Sequence, residues 1–196
     1  MVEVPDFDAL YRDDPDPWQV ASSFYERRKL DVVLASLTRP SYGAAWDPAC
    51  GTGALAAELS DRAAAVLATD ASIEAVRLTA ARCADLSNVA VGRISQPGLP
   101  VRPGDGFDLI VVAEFAYYLT ADDRAALWQA LGDAAAPAAE IVVVHWRHRP
   151  HDGYLSGTDV NLEAVERLTT GSGGWYSAVR HDDREFVLDV LLRDVR

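Results

Sequence analysis

The chain has 196 residues, 49% of them hydrophobic and 24% charged, which suits a single α/β domain with a full core. Its formal net charge of −12 works against nucleic acid or an anionic membrane as a partner; it mildly favours cationic or amine-bearing ligands, or simply serves solubility. No apolar run reaches the roughly 20 residues of a membrane helix, so no spanning segment is expected.

The opening "MVEVPDFDALYRDDPDPW" is acidic and lacks the basic-then-apolar order of a secretion signal. Apolar residues at helical spacing predict a helix from about Pro17 to Leu37, with Asp16 available as its cap, and "RPSYG" ends it. "AAWDP" (Ala44–Pro48) reads as a strand, "CGTG" as a tight turn, and about Thr52–Arg62 as a helix. "AAVLATD" (Ala64–Asp70) is a buried strand ending in an acid; "SIEAVRLTAARCADL" is an amphipathic helix that Ser72 can cap; "NVAVG" (Asn88–Gly92) is a short strand.

Beyond the loop "ISQPGLPVRPGDG", the strand "FDLIVVAEF" (Phe107–Phe115) is too uniformly apolar to face water. A helix opens on Thr120 with acids in its first turn, and "EIVVVHW" (Glu140–Trp146) is a further buried strand. A short helix near Asp159–Leu168 precedes two strands that meet near Asp182–Arg184, an antiparallel hairpin. Repeated strand–helix alternation predicts a doubly wound, Rossmann-like, mostly parallel seven-stranded sheet with that hairpin at its end, ligands gathering at the carboxyl ends of the strands. The expected organisation is one structural domain: a helical segment over 1–40, packed on the ligand side, leading into 41–196.

Gly51, Gly53 and Ala56 satisfy the dinucleotide spacing G-x-G-x-x-G/A, and Asp70 ends the next strand where ribose hydroxyls would lie. NAD and S-adenosylmethionine both fit such a turn; a plain turn with Asp70 as a helix cap fits too. Three features favour S-adenosylmethionine. About 40 residues precede the glycine strand, whereas an NAD domain starts with it. Asp47 before the turn would repel a pyrophosphate yet suits an α-amino group. A chain of this length also leaves little room for a separate substrate domain.

"DPACGTG", "ATDAS", "FDLIVVAEFAYYL" and the closing hairpin resemble the successive motifs of class I S-adenosylmethionine-dependent methyltransferases. "DPWQVASSFYERRKLDVVLASL", "AEFAYYL" and "VVVHWR" further resemble the nodulation protein S-like methyltransferases, whose namesakes methylate a free amine on a chitin oligosaccharide. The resemblance covers nearly the whole chain from Asp16. It implies that Asp47, Gly51 and Gly53 line the methionine part of the cofactor, with Ala49, bulkier than the residue commonly found there, also among the cofactor contacts. Asp70 takes the ribose hydroxyls, Ala71 lies beside the adenine, and Ile94 covers the ring and lends a backbone N–H. Many class I enzymes carry an aspartate where this chain has Arg93, so a carboxylate for the adenine amino group is missing.

Methyl transfer needs alignment of the nucleophile, exclusion of water and, for an amine, removal of a proton. The ends of the fourth and fifth strands carry Glu114, Tyr117 and Tyr118 on one side and His145, Trp146 and Arg147 on the other. His145 is the first candidate for base or orienter, or a satisfied structural histidine. Glu114 is catalytic, touches the cofactor, or caps a turn. Tyr117 or Tyr118 supplies a hydroxyl and an aromatic wall, the other being core. Trp146 and Arg147 face the acceptor, or Arg147 is solvated. In "FYERRK", Arg28 is chosen to clamp the methionine carboxylate, with Tyr25 near the acceptor; a solvated face is the alternative. Trp18 is part of a lid or staples the helix start.

The expected activity is N-methylation of a sugar or sugar-containing metabolite, with S-adenosylhomocysteine as the by-product. Small-molecule O-methylation is the alternative; an NAD-dependent reductase and a non-catalytic cofactor-binding module follow.

Overall fold

The computed structural model describes residues 4–194, so the first three residues of the 1–40 segment and the last two of the 41–196 region lie outside it. Its seven strands form one mostly parallel sheet that closes with an antiparallel hairpin. The chain divides into two compact units, Pro5–Ser95 and a second that begins at Gln96.

In the first unit, α1 (Phe7–Asp13) and α2 (Phe24–Ser36) precede β1 (Tyr42–Asp47), α3 (Ala54–Leu59), β2 (Ala63–Asp70), α4 (Ile73–Arg82) and β3 (Val89–Arg93). The three strands pair in parallel, Asp47 opposite Ala68 and Asp70 opposite Arg93, so both acids lie at carboxyl ends. Ser72 caps α4 as expected, its hydroxyl accepting from the Ala75 N–H.

The helix expected from Pro17 starts only at Phe24. Asp16 does cap, but it caps a turn, accepting from Val20 N (2.7 Å) and Ala21 N (2.9 Å). A carboxylate that satisfies two amides of a tight turn stops the helical ladder from continuing through them. The acidic start itself forms α1, which packs on α4: the Ser72 hydroxyl donates to Asp8 Oδ1 at 2.6 Å and holds the Asp8 carboxyl below its usual range.

The second unit holds β4 (Phe107–Ala113), a 3-10 turn (Ala116–Tyr118), α5 (Ala121–Ala134), β5 (Ala135–Trp146), α6 (Gly157–Thr170), β6 (Trp175–Asp182) and β7 (Phe186–Arg193). β4 and β5 pair in parallel, β7 runs antiparallel to β5, and β6 antiparallel to β7. Thr120 caps α5 through the Asp123 N–H. β5 begins five residues before the expected Glu140, because a bulge between Phe107 and Leu109 lets Ala135 pair early, with Ala138 at φ 58°. Ile110, Val111, Val112, Ile141, Val142 and Val143 are all buried, so both faces of this pair are covered, as their unbroken apolar runs require.

Candidate active site

The first unit builds a glycine cradle between two buried acids. Gly51 (φ 54°) and Gly53 (φ 78°) are both left-handed. A Cβ on Gly51 would come within 2.8 Å of the Tyr11 hydroxyl, and one on Gly53 within 2.9 Å of Thr79, so neither position tolerates a side chain. α4 clamps the loop: the Thr79 hydroxyl donates to Gly51 O at 2.9 Å and Arg82 Nε to Thr52 O at 2.6 Å.

Asp70 receives one amide on each carboxylate oxygen, Gly51 N at 3.0 Å and Ser72 N at 2.9 Å. The alternative that Asp70 caps α4 does not hold, since Ser72 is the cap; a carboxylate has about four lone-pair directions and keeps room for ribose hydroxyls. Burial raises its pKa, and the amides of Ser72, Gly51 and Ala71 oppose that shift.

Asp47 is different. It is 1% exposed, and its Oδ2 has no hydrogen-bond partner. Burial, reinforced by the nearby Asp70 charge, pushes its pKa up to about 8. A buried carboxylate oxygen without a donor costs free energy unless a ligand supplies one. A primary ammonium is the complementary group, and the residues fit an amino-acid moiety.

Other expected cofactor contacts fare unequally. Ala49 is half-buried in the loop and Ala71 is exposed beyond β2. The Ile94 N–H donates to Asp70 O at 2.9 Å, so it is not available to an adenine; strand pairing takes it first. Arg93 is likewise engaged, its Nε donating to Ala71 O at 2.8 Å. In α2 the buried cation is Lys29, the chain's only lysine, rather than the half-buried Arg28. Lys29 Nζ bonds Glu26 at 3.0 Å and lies 4.6 Å from the centroid of the Tyr25 ring, which turns that face of Tyr25 toward the lysine. Trp18 is 41% exposed and packs on α1, its ring 5.5 Å from Tyr11 and 6.3 Å from Phe7. Tyr11, absent from the sequence-based candidates, is the residue that reaches the glycine loop; only the folding back of α1 reveals it.

In the second unit the chain turns sharply after β4. Glu114 has φ 60°, a strained value for a non-glycine residue, and its N–H donates to Val144 O at 3.0 Å. Its Oε2 accepts both the Tyr117 hydroxyl (2.6 Å) and Trp146 N (2.9 Å). Tyr117 is buried, and half-buried Tyr118 meets it edge-on at 4.7 Å. The loop after β5 folds onto the same turn through Tyr154 N donating to Tyr117 O at 2.7 Å. That loop brings Asp152, whose side chain is 19% exposed and whose ion pair with exposed His151 is long, 3.8 Å. Burial raises the Tyr118 pKa, with Asp152 and Glu114 adding to the effect. No sequence motif marks Asp152.

Two expectations change here. His145 is wholly buried, with Nε2 accepting from Ala116 N (3.3 Å) and Nδ1 against Asn161 Oδ1 (2.9 Å). Both ring nitrogens are used within the protein, so its place is structural rather than that of a base reaching an acceptor. Arg147 turns to the hairpin, bonding Asp183 O and Asp182 Oδ1 (3.1 Å), because those groups offer it an oxygen pair at the end of β6. Trp146 remains half-buried beside His148, with ring centroids 4.9 Å apart.

Among the described residues no helix is long and apolar enough to cross a membrane, and no group of three or more His, Cys, Asp or Glu is placed to hold a metal ion.

The nodulation protein S (NodS) family profile matches residues 7–140. The chain belongs to the nodulation protein S family. Among solved structures, a Pseudomonas syringae protein assigned as a methyltransferase is 32% identical, with a TM-score of 0.74 over 87% of this chain and 100% of that one. The N-methyltransferase NodS from Bradyrhizobium japonicum WM9, in complex with S-adenosylhomocysteine, is 18% identical with a TM-score of 0.78, covering 94% and 96%. DhpI, also solved with that ligand, is 21% identical with a TM-score of 0.72, covering 97% and 95%. A search of curated proteins finds no match. The fold of this NodS-family chain is thus the Rossmann-like methyltransferase fold, with the antiparallel hairpin at its end.

Proposed function

We propose that this chain, an S-adenosylmethionine-dependent methyltransferase of the nodulation protein S family, N-methylates an amino group on a sugar or sugar-containing metabolite. S-adenosylmethionine supplies an electrophilic methyl group on a sulfonium sulfur. On the cofactor side, the Asp47 Oδ2 that has no donor meets the α-amino group, the glycine cradle admits the backbone close to the ligand, and Asp70 receives ribose hydroxyls. An NAD pyrophosphate offers Asp47 no cation in place of the ammonium.

One observation carries the amine preference: Glu114, strained in its backbone, holds the Tyr117 hydroxyl at 2.6 Å, with a second, mostly buried acid, Asp152, in the loop folded onto that turn. The nearby arginines point elsewhere, Arg147 to the hairpin and Arg149 Nε to Gly153 O at 2.9 Å. An amine arrives as an ammonium ion, which two carboxylates attract, and must lose a proton before it attacks. Glu114 is placed to take that proton, with Tyr117 fixing the carboxylate's orientation. Tyr118 and Trp146 offer aromatic faces to the methylammonium product. The B. japonicum NodS, an N-methyltransferase, supports the same direction. Two free, buried cysteines suit a reducing compartment, and the cytoplasm is the setting we assign.

The test is a methyl-labelling panel in which each amino sugar is paired with its hydroxyl counterpart. Label on nitrogen, with the hydroxyl partners inert, is the expected result. Label on oxygen alone overturns the amine assignment.

A further inference from the structure

His145 does not end at its two ring contacts. Asn161, wholly buried on α6, places its amide nitrogen 3.0 Å from Val143 O and 2.8 Å from Asp189 Oδ2. A carbonyl accepts only, so the amide NH2 must face these oxygens, and Oδ1 is the atom left to face His145 Nδ1 at 2.9 Å. That oxygen requires a proton on Nδ1. On the other side of the ring, Nε2 accepts the Ala116 N–H and carries none. The imidazole is thereby set as the neutral Nδ1–H tautomer. Asp189, 1% exposed in the middle of β7, anchors the chain of bonds and is itself met by Arg180 Nη1 at 3.3 Å. Burial raises the Asp189 pKa, while the bonds from Asn161 and Arg180 oppose that shift.

Close packing enforces the arrangement. A Cβ on Gly157 would lie 2.6 Å from the His145 Cβ, so the start of α6 can approach β5 only as glycine. The ring also stands edge-on to Tyr117, with centroids 5.2 Å apart. A polar residue buried under a strand is costly unless every atom is matched, and here the matching leads to the turn that carries Glu114 and Tyr117.

We infer that Asn161 and Asp189 are positioning residues for methyl transfer. Through a single tautomer of His145 they hold the Ala116 amide, and with it the strained Glu114–Tyr117 pair, in register for the acceptor. The inference rests on the acceptor role proposed for that pair. His145 is then a positioning residue too, and the proton on Nδ1 is its essential feature.

The experiment uses the full chain, with histidine nitrogens labelled for NMR and backbone amide exchange followed in parallel. The wild-type protein is expected to show one histidine fixed as the Nδ1–H form from pH 5 to 8, with the Ala116 amide protected. Asn161→Leu removes the oxygen that selects this tautomer. Ala116 exchange should then rise at least about tenfold, and kcat on the amine identified by labelling should fall about 10- to 100-fold. KM and S-adenosylhomocysteine affinity should move less than about threefold, the latter also reporting that the chain is folded.

The conservative Asp189→Asn keeps an amide oxygen for the Asn161 NH2, which Val143 O also holds in place. It should keep the tautomer and most of the kcat even if Asn161→Leu folds poorly. An Nε2–H tautomer, a His145 that titrates in this range, or Asn161→Leu with unchanged Ala116 protection overturns the inference. A fixed tautomer in a protein that methylates only oxygen would retain the network and sink the amine assignment, so the two failures are distinguishable.

Discussion

The glycine cradle of the first unit and the turn after β4 in the second treat a buried acid in opposite ways. In the first, Asp47 Oδ2 is buried without a donor, and the carboxyl pKa rises to about 8. In the second, Glu114, His145, Asn161 and Asp189 bond one another or the backbone. An unmatched acid makes the fold less stable and makes the unit a receptor for a cation. A matched network makes the turn after β4 rigid and leaves its chemistry to geometry. On the proposed reading, recognition of the cofactor and placement of the acceptor rest on different physics, and substitutions should separate them.

Glu114→Gln is the sharpest separation. It keeps an oxygen for the Tyr117 hydroxyl and removes the base, so kcat should fall about 10²–10⁴-fold. S-adenosylhomocysteine affinity measured by calorimetry should stay within about threefold; a collapse in that affinity would move Glu114 to the cofactor side.

Asp47→Asn should do the reverse. Losing a charge-assisted bond of about 2–3 kcal/mol weakens S-adenosylhomocysteine binding on the order of 100-fold. The same substitution should raise the melting temperature of the ligand-free chain at pH 8, since the destabilising charge is gone. Equal affinity in the variant would mean that Asp47 is not the ammonium partner.

The pH dependence follows from the same residue. The folded Asp47 pKa, about 8, lies above the ordinary 3.8, so the folded chain holds this proton more tightly than the unfolded one. Its contribution is fully present below pH 4 and is lost as pH rises to about 8, on the order of 5 kcal/mol. The difference between wild type and Asp47→Asn across that window isolates it; a flat difference contradicts the raised pKa. Ligand ammonium needs the ionised carboxylate, so affinity should climb up to about tenfold per pH unit below pH 8, with a proton released on binding.

Gly51→Ala should cost about 1–3 kcal/mol, from the left-handed φ and the Tyr11 hydroxyl, and should weaken cofactor binding while sparing the turn after β4. Arg147→Ala is the smallest change. Its partners are in the hairpin, so KM for the acceptor should shift less than about threefold, and a larger effect would return Arg147 to the acceptor site.

Local sequence signals match the structure where one residue's chemistry decides the outcome. Gly51 and Gly53 adopt the left-handed turn that only glycine takes readily, Ser72 and Thr120 cap the helices they precede, and unbroken valine and isoleucine runs make β4 and β5. Periodicity and turn chemistry act over a few residues, and so the strand–helix alternation, the closing hairpin and the glycine turn were legible in the sequence.

What the sequence could not carry is which groups meet across distance. Asp16 reads as a cap either for a helix or for a turn; tertiary packing chose the turn and began α2 at Phe24. His145 at the end of an apolar strand reads as a base until Asn161, 16 residues further on, consumes Nδ1. Asp189 looks like an anomaly in an apolar strand until that same asparagine covers it. Tyr11 and Asp152 have no motif at all, because their positions depend on α1 folding onto α4 and on a loop folding onto Tyr117. Hydrogen-bond partnership is decided by which atoms burial brings within about 3 Å, and that is a property of the folded chain.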